Sequence, residues 1–184
     1  MSIPRRSEAK LRQKGIRLVH KRLAQLSVLA AVAVAIYSIE AALPRPFPWL
    51  RLGLSNAIVL TVLTIFGFRD ALMVSLVRTG LGSLVVGTLF TPGFLMGLTG
   101  GVASVVAMGA VLTLGGRIFS SIGISVCGAI AHQGTQLLVA SVILIGSSGA
   151  LALGPTLGLL AVATGILTGF ISLVLIDRLT RTIG

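Results

Sequence analysis

The chain has 184 residues, 55% of them hydrophobic and only 10% charged, and fifteen Lys and Arg against four acids give a net charge of +11. A soluble domain carries roughly a quarter charged residues, so this composition excludes a water-soluble globule and implies an integral membrane protein. The basic excess does not point to nucleic acid, because eight of the fifteen cations fall within residues 1–22 and most of the others sit singly at the ends of apolar runs, as topology signals do. The lone Cys127 excludes an internal disulfide framework. Two distant histidines and four scattered acids leave no structural metal site, and no cofactor is expected.

In chain order, residues 1–22 read as a basic juxtamembrane tail on a membrane domain over 23–184. The stretch "RRSEAKLRQKGIRLVHKRL" suits a helix touching anionic headgroups. The alternative, a cleaved signal peptide, has against it a long basic region and five more hydrophobic runs downstream. A span needs about 20 apolar residues, and six are predicted: 23–43, 52–67, 71–90, 94–114, 118–145 and 150–176. The breaks between them are "PRPFPWLR", "GFRD", "TPG", "GGR" and "GSSG". The fold class is therefore all-α, a bundle of six transmembrane helices. With the N-terminus in the cytoplasm, that side receives the eight tail cations plus Arg69, Arg117, Arg178 and Arg181, and the far side receives Arg45 and Arg51. Twelve against two satisfies the positive-inside rule and predicts both termini in the cytoplasm.

Small residues at four-residue spacing let helices approach closely in lipid. "GFLMGLTGG" puts Gly93, Gly97 and Gly101 on one face with Ser104 beyond, and Gly154/Gly158 and Gly165/Gly169 repeat the pattern in the sixth span. Ordinary packing inside the bundle explains any one of these. Ala31 and Ala35 in the first span are the better candidates for docking a partner subunit, because that helix has less Gly-rich neighbours.

Three sets of polar residues lie inside the apolar runs. Arg78 stands eight residues beyond Asp70, about 12 Å into the bilayer at the helical rise. An arginine there costs on the order of 2.5–3.5 kcal/mol on insertion scales, so it must face the interior, a cavity or a counter-charge. Gly82, one turn on, is expected to leave room beside it. Glu40, near the outer end of the first span, can neutralise Arg45 or Arg51, or it can line an outward-opening cavity. Asp70 is expected to cap the third helix, and Asp177 to balance Arg178 or Arg181. In "AIAHQGTQLLVA", His132 and Gln136 share a helix face with Ser125 two turns earlier, and Gln133 lies alongside. Buried polar groups in lipid need partners, so this face turns inward. It serves either as interhelical glue or as a cavity for a polar or amphipathic small molecule, with Asn56 and Arg78 contributing from other spans.

The motifs "LGLSN", "GFRDAL", "RTGLGSL", "GTLFTPGFLM" and "ISVCGAIAHQGTQLLVA", over roughly residues 25–178, resemble a family of small bacterial membrane proteins. That family is known both as the Gx transporter family and as heptaprenyl diphosphate synthase component I. It is similar in turn to the substrate-binding S components of energy-coupling factor transporters, six-helix proteins whose first helix docks through an Ala-xxx-Ala motif. The resemblance implies uptake of a small hydrophobic or amphipathic compound, with a coupling subunit and ATPases as partners. Ala31 and Ala35 match the docking spacing. It also implies a bacterial inner (cytoplasmic) membrane location. The other family name implies an accessory membrane subunit of an isoprenoid or quinone-linked complex. A catalytic prenyltransferase binds its diphosphates through Mg²⁺ held by clustered carboxylates, and no two of the four acids here lie within six residues of each other. No GxxxxGK[ST] loop is present, so ATPase activity would have to come from a partner. The chain reads as a non-enzyme with candidate ligand-binding residues Glu40, Asn56, Arg78, His132, Gln133 and Gln136.

Overall fold

Good helix formers run from the basic tail into the first apolar stretch with no proline between them, so the two form one continuous helix. This is α1, Arg5–Ala42, whose 38 residues extend about 57 Å. The computed structural model describes residues 5–42, 53–115, 118–142 and 153–183. Five further helices follow: α2 Ser55–Ile65, α3 Phe68–Val85, α4 Pro92–Gly115, α5 Ser121–Ala140 and α6 Gly154–Ile183. Among the described residues there is no strand, as an all-α bundle requires.

Among the described residues there are six helices, and four of them are long and apolar enough to cross a membrane: Gly15–Ala42, Pro92–Gly115, Ser121–Ala140 and Gly154–Arg181. They make this a multi-pass membrane protein. The helices over the other two expected spans, 52–67 and 71–90, are shorter or more polar. α2 has 11 residues and extends about 16 Å, roughly half of a hydrocarbon core. α3 is 18 residues long and carries Arg69, Asp70 and Arg78. The "PRPFPWLR" and "GSSG" breaks, with Arg45, Arg51 and Arg117, lie outside the described residues.

α2 is short because it need not face lipid. Every residue from Ser55 to Leu63 is buried, and α2 touches all five other helices. Around it α1 packs on α3, α3 on α4, α4 on α5 and α5 on α6, while α1 and α6 make no extensive contact. Ile58, Val59, Leu60, Val62 and Leu63 of α2 meet Ala33, Val74, Val105, Met108 and Ile124 from the surrounding helices. The reversal from α2 to α3 is tight because Gly67 adopts φ 102, a conformation in which a side chain would be strained.

Several of the small residues pack inside the bundle. A Cβ on Gly165 or Gly169 would come within 2.7 and 2.6 Å of the α5 backbone at Val126 and Ile122. On α4, Gly97 and Gly101 share a face toward α3: Gly97 meets Tyr37 and Thr79, and Gly101 meets Ser75, Arg78 and Thr79. The intervening Gly100 carries the approach to His132. Gly82 is corrected: it admits the ring of Tyr37, whose Cδ1 an added Cβ would overlap. The Tyr37 hydroxyl meets Ser83 Oγ at 2.9 Å.

Asp70 forms no cap, since Gly67 precedes α3 without a side-chain hydrogen bond. It sits in the first turn, where a carboxylate suits the helix dipole, and pairs with Arg22. Arg22 also donates to the Phe66 carbonyl at 3.2 Å, tying the α2–α3 turn to α1. Asp177 pairs with Arg181 at 3.0 Å, as its spacing predicts.

Candidate functional site

The polar residues expected to share one chamber form two adjoining clusters. The first joins α1, α2 and α3. Glu40, buried at 4% exposure, reaches from α1 to the start of α2 and accepts from Leu54 N at 2.8 Å and Ser55 N at 3.5 Å. Leu54 has no capping side chain of its own, so a carboxylate from another helix satisfies donors that the first turn cannot. The Ser55 hydroxyl donates to Glu40 Oε2 at 3.3 Å and accepts from Arg78 Nη1. Arg78 Nη2 donates to Asn56 Oδ1 at 2.6 Å. Arg78 is 3% exposed and turns inward, as an intramembrane guanidinium must. Its described contacts are a hydroxyl and an amide, with the Glu40 carboxylate on the far side of Ser55. Glu40's expected partners Arg45 and Arg51 lie outside the described residues.

The second cluster joins α4, α5 and α6. His132 Nε2 meets the Gln136 amide at 3.0 Å, and Ser125 Oγ meets Thr168 Oγ1 at 2.8 Å. Gly100 makes room for this: an added Cβ would lie 3.1 Å from both the His132 carbonyl and Gln136 Cγ. Asn56, Ser104, Ser125, His132, Gln133 and Thr168 line a hollow of about 10 Å³, room for about one water. Gln133 Oε1 and Ser104 Oγ on the hollow, and Gln136 Oε1 beside it, are buried without a hydrogen-bond partner among the described residues. Either orientation of the Gln136 amide leaves one of its atoms unpaired. Such groups are costly in a low-dielectric interior.

Asn56 belongs to both clusters, being held by Arg78 and facing the hollow. Glu40, Arg78 and Gln136 do not line the hollow. The sequence reading missed Thr164 and Thr168, which do. Their four-residue spacing, continued by Ser172, was a legible signal of a polar face on α6. Ala31 and Ala35 are exposed on the outer side of α1, and the exposed Val28, Val32 and Ile39 extend that apolar surface.

These features define a class: a multi-pass helical membrane protein with polar clusters buried between its helices. The family model described as heptaprenyl diphosphate synthase component I matches residues 29–175, and the chain belongs to that family. Membership as a component agrees with the non-enzymatic reading of the sequence. No curated protein and no solved structure matches the chain.

Proposed function

We propose that the chain is the non-catalytic membrane subunit of a prenyl diphosphate synthase in the bacterial cytoplasmic membrane. In this role it holds a soluble catalytic subunit where the apolar product enters lipid. The family match over residues 29–175 carries this reading. Two features support it. No acid cluster exists for Mg²⁺-diphosphate chemistry, and the interior hollow is too small for a substrate. The basic tail, with both termini in the cytoplasm, would bring anionic lipid and partner to one side. Co-expression with a soluble prenyltransferase subunit tests the reading. Co-purification, with a change in product length or turnover, is expected; a partner that neither binds nor responds would refute it. A tag at the N-terminus should resist external protease in intact cells, and its digestion there would overturn the topology.

A second reading, uptake of a small amphipathic compound by an S-component-like protein, has its own support. Asn56, His132 and Gln133 converge on one hollow that retains unpartnered polar atoms. In that role Ala31 and Ala35 would dock a coupling subunit served by ATPases, and the hollow would have to open to admit the ligand. Mass spectrometry of compounds released from protein purified in mild detergent tests it. A stoichiometric vitamin-like compound would favour uptake over the synthase role.

A further inference from the structure

The ring of helices around α2 is open between α1 and α6, and a groove lies in that seam. Ala24, Gln25, Val28 and Leu29 of α1, Phe66 at the end of α2 and Leu179 of α6 enclose about 270 Å³. The surface it presents is apolar, Gln25 included, whose amide does not face the groove. The groove opens sideways, where Val28 is 62% exposed, and it lies at the end of the bundle that carries both chain termini. Cations continue the α1 wall toward the N-terminus: Arg17, Lys21, Ala24 and Val28 follow one another at three- and four-residue steps on one face. Arg22 is committed to Asp70, and Arg181 to Asp177. Arg17 and Lys21 are exposed and have no carboxylate within 4 Å among the described residues.

We infer that this seam binds a prenyl diphosphate, its isoprenoid chain in the groove and its diphosphate on Arg17 and Lys21. A purely apolar slot that ends at two adjacent unneutralised cations complements an amphiphile with a long hydrocarbon tail and a compact, multiply charged head. Neighbours at i and i+4 stand about 5–6 Å apart at Cβ, so two cations can share one diphosphate, and Arg binds phosphate oxygens bidentately. A phosphodiester lipid presents one charge and would leave the second cation unused. The inference rests on the synthase reading and deepens it. The subunit would take the product from its partner through the open seam, and the polar clusters of the interior would have no part in the transfer.

The test uses the full chain in phosphatidylcholine nanodiscs with radiolabelled farnesyl diphosphate as probe. Saturable binding is expected, weakening as salt rises because the head contacts are exposed. Ala24→Trp, which fills the groove, should weaken binding about tenfold or more, and the Arg17→Ala/Lys21→Ala double variant should weaken it about tenfold. The double variant changes only exposed side chains, so it remains informative if Ala24→Trp fails to fold. Farnesol should bind without salt dependence. Equal binding by wild type and the double variant would overturn the proposal. So would complete displacement by an equimolar amount of phosphatidylglycerol, which would make the seam a general lipid slot. Capture of the catalytic subunit is measured separately on wild-type protein. Failure there with intact farnesyl diphosphate binding removes the synthase reading, and the converse removes only the seam.

Discussion

The two buried polar clusters meet the same physical demand to different degrees. Around Arg78, donors and acceptors answer one another in sequence: guanidinium to Ser55 and Asn56, and Ser55 and the α2 backbone to Glu40. Around His132 the pairing is incomplete, and Gln133 Oε1, Gln136 Oε1 and Ser104 Oγ remain over. A satisfied network rigidifies, whereas a partly satisfied one keeps hydrogen-bonding capacity for something else. The first cluster ties the start of α2 to α1 and α3 as a lock, and the second retains more unpaired acceptors among the described residues.

The largest effect should come from breaking the lock. Arg78→Leu strands Asn56 Oδ1 and leaves Glu40 without a cation behind Ser55, and should cost on the order of 3–5 kcal/mol. The measurement is thermal unfolding in detergent; wild-type stability would show that the cluster is not a lock. Next is Gly82→Ala, whose methyl meets the Tyr37 ring, at about 1–3 kcal/mol for overpacking. Adding Tyr37→Ala should recover part of that loss, and a double-mutant cycle reads the coupling. In the second cluster Gln133→Leu should change stability by no more than about 1 kcal/mol, because it removes an acceptor that is already unpaired. Loss of a co-purifying compound in that variant would mark the hollow as a ligand site, and an unchanged profile would mark it as packing. The smallest stability effect belongs to Ala31→Leu on the exposed face of α1, within about 0.5 kcal/mol. If that face docks a partner, pull-down should nevertheless fall.

Much of this was legible because lipid allows few options. Arg78, Glu40, His132 and Gln136 stood out as polar residues in apolar runs, and each is buried, as a hydrocarbon surrounding demands. Their partners were not legible. Glu40 was expected to meet a cation in its own loop, yet its described partners lie at the start of another helix. Gly82 was expected to serve Arg78, but the ring filling its space comes from residue 37. That α2 is enclosed by protein was not legible either, because a helix buried in protein and one buried in lipid share the same apolar composition.

The sequence by itself determined the solvent, the helical class, the family and which side chains had to turn inward. Those follow from composition and local periodicity, to which each residue contributes independently of its distant neighbours. Only the tertiary structure decided that α2 is enclosed, that the inward groups divide into a lock and a hollow, and that α1 and α6 leave a seam. These depend on which helix lies beside which, and that order is set by side chains meeting across dozens of residues of intervening chain.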